Sequence, residues 1–183
     1  MLRWIVLVTL TAYSTAFAAE ECYTADAADG AVTFSVLQRG APYTGNFRRF
    51  AGEACFAQGH LTRIDATLDP ASVDTGLPEL DEGLKGKDFF AVQDFPRVTF
   101  VSTSVQVQGD AQLTRGTLEI KGNRRDVEVS LRSQQVGDNK MSISGTFTLD
   151  RLEYGIGMGD WTNTKWLGAE VRLDINATLS RKE

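Results

Sequence analysis

The sequence predicts an all-β protein whose antiparallel strands form either a closed barrel or a sandwich. Apolar and polar side chains alternate with a period of two along most of the chain, which is typical of strands with one buried and one solvated face. Short turns containing Gly, Asn or Asp separate these segments, as in β-hairpins. One segment, Pro78 to Phe90, lacks the alternation and combines charged residues with phenylalanines.

The chain begins with the features of a secretory signal peptide, residues 1–18. Arg3 gives a cationic start, an apolar run follows from Trp4 to Leu10, and Ala16-Phe17-Ala18 is a small-x-small cleavage site. The apolar run is shorter than the roughly 20 residues of a membrane-spanning helix. We therefore expect cleavage before Ala19 and a periplasmic protein.

The remaining residues, 19–183, are predicted to form one domain. Their 18 basic and 24 acidic side chains give a net charge of −6, because Arg3 is the only charged residue of the leader. An acidic chain without a basic cluster is unsuited to nucleic acid or to anionic membrane surfaces. The two cysteines, Cys22 and Cys55, can form a disulfide in an oxidising compartment or remain separate thiols.

Five alternating segments define the clearest strands. Their apolar residues are Val32, Phe34 and Val36; Ile64, Ala66 and Leu68; Val127, Val129 and Leu131; Met141, Ile143, Phe147 and Leu149; and Val171, Leu173, Ile175, Ala177 and Leu179. With the hairpin turns around Gly109, Gly122 and Gly137, the chain accommodates about eight strands. An eight-stranded barrel either fills its interior with side chains or encloses one small ligand, and the pattern leaves both open.

The segment that breaks the alternation is predicted to contain a short helix. Leu80 and Leu84 share one helical face, with Leu77 one turn earlier. Phe89 and Phe90 follow among charged residues, and large apolar groups in such a segment indicate a contact surface. The segment is therefore either a plug that completes the core or a lid over a ligand cavity.

Three stretches of the chain resemble the YceI-like lipid- or polyisoprenoid-binding family. They are SVDTGLPELDEGLKGKDFFAVQDFPRVTFVS at Ser72–Ser102, GTLEIKGNRRDV at Gly116–Val127 and FTLDRLEYGIG at Phe147–Gly157. A fourth, QRGAPYTGNF at Gln38–Phe47, is similar to a branch of the family that often occurs with cytochrome b561-type membrane proteins.

The resemblance implies a lipocalin-like barrel of eight antiparallel strands with a short helical lid, whose lumen holds an isoprenoid lipid such as a prenyl quinone. The alternation and the lid segment predict which residues line or close such a lumen. They are Phe34, Val36, Phe47, Phe100, Ile143 and Phe147 in the lining, and Leu80, Leu84, Phe89, Phe90 and Phe95 at the closure. Trp161 and Trp166 are predicted on a flexible rim formed by the glycine-rich loop that follows Tyr154.

The residues argue against an enzyme. His60 is the only histidine, so a Ser-His-Asp triad or a histidine-rich metal site lacks its residues, and no G-x-S-x-G motif is present. We expect no cofactor and no metal ion. The alternative to a lipid carrier is a protein-interaction module with a filled barrel core, which would partner a membrane cytochrome. Both a monomer and a dimer are compatible with the sequence.

Overall fold

A computed structural model describes residues 19–182. The predicted signal peptide, residues 1–18, lies outside the described residues. The strands are β1 (Glu21–Asp26), β2 (Gly30–Gln38), β3 (Ala41–Phe47), β4 (Phe50–Ala57), β5 (His60–Leu68), β6 (Val73–Asp74), β7 (Val98–Gln108), β8 (Ala111–Ile120), β9 (Asn123–Gly137), β10 (Lys140–Asp150) and β11 (Leu167–Arg181). The helix α1 spans Pro78–Lys85, and 3₁₀ turns lie at Pro70–Ser72, Arg151–Tyr154 and Gly159–Thr162.

All pairings in this sheet are antiparallel, and the sheet closes on itself. Its order is β1-β4-β5-β7-β8-β9-β10-β11-β2-β3-β6, and β11 pairs with β1 as well as with β2. Because β1 pairs with β4 and β2 pairs with β3, the two pairs form one long, interrupted hairpin. β1 and β2 together occupy one position in the barrel, and β3 and β4 another, so the barrel has eight strand positions. The predicted eight-stranded antiparallel barrel is confirmed.

The long hairpin is interrupted between β3 and β4, at the point where Ser72, shortly before the helix α1, contacts the barrel. Between β3 and β4, the backbone N–H groups of Arg48 and Arg49 donate to the carbonyl and the hydroxyl of Ser72. The two-residue strand β6 then pairs with the end of β3, next to the place where β5 has ended. The segment between β5 and β7, which contains α1, therefore leaves the barrel beside the junction of β3 and β4.

The register places the predicted apolar faces inside the barrel. Val36 lies opposite Val171, and Phe34 lies opposite Leu173. Two buried clusters follow from this arrangement. One includes Leu131 and Ile143, while the other, at the lid end, includes Leu118, Leu149 and Phe89.

The helix α1 is shorter than the segment that lacks alternation. Pro78 occupies the first turn, where its missing N–H costs no hydrogen bond. The helix ends at Lys85 because Gly86 takes an extended conformation and its N–H donates to the carbonyl of Gly83. Phe89 and Phe90 therefore lie in the turns after the helix rather than on it.

The opposite end of the barrel holds both described termini and the disulfide. Cys22 on β1 and Cys55 on β4 are directly paired in the register, and their sulfurs are bonded. Direct cross-strand pairing brings the two Cα atoms to 4.0 Å, within reach of one bridge. Within residues 19–182, no helix is long and apolar enough to cross a membrane.

Candidate functional site

The barrel contains a cavity of about 270 Å³, far larger than the roughly 10–15 Å³ that one water molecule needs. Every strand except β6 contributes to its lining, which includes members of both buried clusters, so the cavity extends along the barrel. Its lining is almost entirely aliphatic and aromatic. The core is therefore not filled by side chains, contrary to the alternative of a solid barrel.

Most of the residues predicted to line or close the lumen do border this cavity. They are Phe34, Val36, Phe47, Leu80, Leu84, Phe89, Phe90, Phe100, Ile143, Phe147 and Trp161. Whether each of them contacts a ligand stays a prediction. The alternation identified the wall residues because it fixes which side of the sheet a side chain occupies.

Phe95 and Trp166 do not border the cavity. The ring of Phe95 packs over Gly122 in the β8–β9 turn, where a Cβ atom would lie 3.0 Å from it. Trp166 is 50% exposed, and the guanidinium of Arg39 lies 4.3 Å from the centroid of its ring. Both residues were predicted to face the cavity because they are aromatic. They lie in loops, where side chains do not alternate between two faces as they do on a strand, so the sequence did not indicate which way they point.

The lid phenylalanines contact aromatic rings of the wall and the rim. The centroid of Phe90 lies 5.7 Å from that of Phe47, nearly edge to face, and Phe47 lies 5.5 Å from Phe34. Phe89 lies 5.6 Å from Trp161, the rim residue that reaches the cavity. These contacts explain the phenylalanines of the charged segment, because each ring covers the cavity while the charges face solvent.

Backbone hydrogen bonds hold the lid against the β10–β11 loop. The N–H groups of Gly157 and Met158 donate to the carbonyl of Asp88 at 2.7 and 2.9 Å. The Lys121 ammonium donates to the carbonyls of Lys87 and Gly155 at 2.6 and 2.8 Å. Burial lowers the pKa of Lys121, partly offset by the charge of Asp88. The lid and the rim loop are therefore one connected structure.

Arg151 organises the rim loop from inside the barrel. It is 1% exposed, and its guanidinium donates five hydrogen bonds of 2.6–2.8 Å, all to backbone carbonyls. The acceptors are Ile156, Gly157, Trp161, Leu167 and Gly168. Five is the full number of N–H donors that an arginine carries. Burial lowers its pKa, but five carbonyl dipoles compensate the buried charge.

Gly157 is required at this site for two reasons. Its φ of +70° lies in the left-handed region that favours glycine, and a Cβ atom there would collide with Nη1 of Arg151. The glycines of the loop therefore shape the rim around the arginine. They do not form a nucleotide-binding loop, since they follow a 3₁₀ turn in an antiparallel barrel.

Sequence reasoning missed several residues of the lining. Most of the following ten were already in the five alternating segments but were not chosen as lining residues, and the other two, Leu118 and Ile120, lie on β8. They are Val32, Leu118, Ile120, Val129, Leu131, Leu149, Val171, Leu173, Ile175 and Leu179.

The lining also includes polar residues that no pattern indicated. Gln38, Tyr43, Glu53 and Thr67 lie on strands, where a polar side chain is ordinarily assigned to the solvated face, and Arg151 lies in the 3₁₀ turn after β10.

The fold and the cavity define a class of protein. This is a closed, up-and-down antiparallel barrel with an apolar cavity in its interior and an aromatic lid, an architecture suited to binding one apolar molecule. Comparison with known families then identifies the particular one. Residues 23–179 match the YceI-like domain, and the chain belongs to this family, as the resemblance indicated.

Relatives extend over nearly the whole described chain. A UPF0312 protein of Shewanella putrefaciens is 28% identical over 167 residues, which cover 86% of this chain and 87% of the relative. The crystal structure of BcnA from Burkholderia cenocepacia has a TM-score of 0.80 at 27% identity and covers 84% of this chain and 98% of that one.

A more distant structure shares the fold alone. The polyisoprenoid-binding domain from Saccharophagus degradans has a TM-score of 0.71 at 13% identity, and the match covers 88% of this chain and 99% of that domain.

Proposed function

We propose that this protein is a periplasmic binding protein that holds a polyisoprenoid lipid in its barrel. The observation that carries the proposal is the apolar cavity of about 270 Å³ beneath an aromatic lid. The polyisoprenoid binding that gives the Saccharophagus degradans domain its name supports the same ligand class. The predicted signal peptide and the Cys22–Cys55 disulfide support an oxidising compartment outside the cytoplasm.

The physics of the cavity is sufficient for tight non-covalent binding. Burial of about 400 Å² of isoprenoid surface gives on the order of 10 kcal/mol at about 25 cal/mol per Å². Association and the ordering of the lipid chain reduce this value, and micromolar affinity remains within reach. We propose binding without catalysis, since Arg151 has every N–H engaged by backbone carbonyls and offers no free donor to a reacting group.

The finer parts of the proposal are a prenyl quinone as the ligand and a cytochrome b561-type membrane protein as the partner. The similarity of Gln38–Phe47 to the corresponding branch of the family supports both. Exposed apolar residues at the lid end, among them Leu77, Met158 and Trp166, support a docking role for this end. Co-purification of the cytochrome from membranes tests the partner.

Native mass spectrometry of the protein purified without detergent tests the ligand class, followed by organic extraction of any bound molecule. We expect an added mass that extracts as a prenyl lipid. Ala177→Phe, which projects a ring into the cavity, should reduce binding at least roughly tenfold. Asn176→Phe, on the exposed face of the same strand, is the matched control and should bind normally. A bare wild-type protein that also refuses added prenyl lipids would overturn the proposal.

A further inference from the structure

Four large apolar side chains are exposed to solvent at the lid end of the barrel. Leu37, at the end of β2, is 53% exposed, and Met158, Trp161 and Trp166 of the β10–β11 loop are 37–50% exposed. Large apolar side chains that gather on a surface are costly in water and mark contact sites. We call these four residues the rim face.

The rim face joins two neighbouring pieces of backbone. The N–H of Arg39, in the β2–β3 turn, donates to the carbonyl of Trp166 at 2.9 Å. Leu37 lies beside Gly168, because a Cβ atom added to this glycine would be 3.4 Å from the Cβ of Leu37. The end of β2 and the loop before β11 therefore form one surface.

The backbone of the rim face is held in place by hydrogen bonds. Arg151 donates to the carbonyls of Gly157, Trp161 and Leu167 at 2.6–2.8 Å. The N–H of Trp161 donates to the carbonyl of Met158 at 3.3 Å. The fold thus spends a buried arginine on a loop that presents apolar side chains to the solvent.

Trp161 connects the rim face to the cavity. Its side chain is exposed, yet it borders the cavity and its ring centroid lies 5.6 Å from that of Phe89 in the lid. A prenyl lipid is expelled from water by its apolar surface, so it is exchanged with a bilayer rather than with the solvent. A surface that continues into an apolar cavity fits contact with that bilayer.

The charges at the rim face favour a lipid surface without net charge. The loop from Met158 to Trp166 carries one carboxylate, Asp160, and one ammonium, Lys165. The guanidinium of Arg39 lies 4.3 Å from the ring centroid of Trp166, and such a pair suits the interface, where the ring contacts apolar chains and the cation stays among the head groups. The 18 basic and 24 acidic side chains of residues 19–183 together repel anionic lipids.

We propose that the rim face binds the surface of a bilayer of zwitterionic phospholipids, with Trp161 and Trp166 at the level of the head groups. Tryptophan favours this depth because its ring is apolar while its N–H stays hydrated. The proposal rests on the proposed function, since a lipid in the cavity is the reason for contact with a bilayer, and it adds the surface at which that lipid enters and leaves. It requires no protein partner, so a bilayer of pure lipid is sufficient.

The mature protein carries its own reporter of this contact. Trp4 lies in the predicted signal peptide, so Trp161 and Trp166 are the only tryptophans of residues 19–183. Phosphatidylcholine vesicles should shift their fluorescence to shorter wavelength, and phosphatidylcholine with brominated acyl chains should quench it. Phosphatidylglycerol vesicles should bind no more tightly than phosphatidylcholine vesicles.

A double variant, Met158→Ser with Trp166→Ser, tests the residues of the rim face. It should co-sediment with phosphatidylcholine vesicles at least roughly tenfold more weakly than the wild type. Neither residue borders the cavity, so the variant should bind a short-chain prenyl quinone in free solution as tightly as the wild type. The matched control is Val107→Ser with Val136→Ser, since these valines are 51% and 53% exposed at the opposite end of the barrel, and it should co-sediment like the wild type.

The outcomes separate bilayer binding from the proposed function. Wild-type protein that stays out of the vesicle pellet, or equal vesicle affinity in the rim-face variant, would overturn bilayer binding and leave prenyl lipid binding intact. Tighter binding to phosphatidylglycerol would overturn the apolar contact. A wild-type dimer that the rim-face variant converts to a monomer would assign the rim face to a second copy and also overturn it. If the wild type co-sediments with vesicles but binds no prenyl quinone, the proposed function alone fails.

Discussion

Replacement of Arg151 by lysine should destabilise the protein by about 3 kcal/mol or more. The arginine donates five hydrogen bonds to carbonyls of the rim loop and the start of β11. A lysine ammonium has three donors, so at least two bonds are lost, each worth roughly 1.5–3 kcal/mol for a charged donor. The free energy of unfolding, measured by urea denaturation, tests this value. The melting temperature should fall by roughly 6 °C or more.

A surface arginine provides the control for this substitution. Arg124 forms an ion pair with Glu119, and its side chain is 73% exposed. Arg124→Lys should change the free energy of unfolding by less than about 1 kcal/mol, because exposed ion pairs contribute little. Hydrogen exchange should also show faster exchange in the 155–168 loop of Arg151→Lys. Equal stability of the two variants would refute the assignment of Arg151 as the residue that holds the rim.

Three further predictions concern the disulfide, acid stability and the lid. Replacement of both Cys22 and Cys55 by alanine should lower the free energy of unfolding by roughly 3–4 kcal/mol for a sequence separation of 33, and a reducing agent should then have no further effect. The hydrogen bond from Lys182 holds the pKa of Glu53 below its usual range, so the stabilisation is full above the unfolded-state pKa near 4.3 and is lost as the pH falls through the folded value. Glu53→Gln should accordingly lose less stability than the wild type between pH 5 and pH 3 in urea titrations. Phe90→Ala removes the edge-to-face contact with the barrel wall and should release bound lipid roughly tenfold faster in stopped-flow measurements.

For each of these three predictions, one experimental result would contradict it. An unchanged release rate in Phe90→Ala would make the lid a fixed part of the wall. Parallel acid curves for Glu53→Gln and the wild type would mean that the pKa of Glu53 is the same in the folded and the unfolded protein. A stable cysteine-free variant would mean that the closed barrel already restricts the two strands.

The sequence alone determined the strand faces and indicated that the segment Pro78 to Phe90 covers an apolar surface, as either a plug or a lid. The period of two at Val32, Phe34 and Val36 fixes their common side, since successive side chains of a strand point in opposite directions. The phenylalanines of the charged segment indicated a covered surface because isolated apolar groups are costly in water. Local chemistry was sufficient for both.

Only the tertiary structure decided what the barrel contains. Whether the inward side chains meet at the centre depends on the diameter of the closed barrel. That diameter is set jointly by all eight strand positions, so no single segment of the sequence reveals it. The same holds for Arg151: the carbonyls that surround its guanidinium belong to one loop that follows it, but only the fold of that loop turns all five toward the side chain.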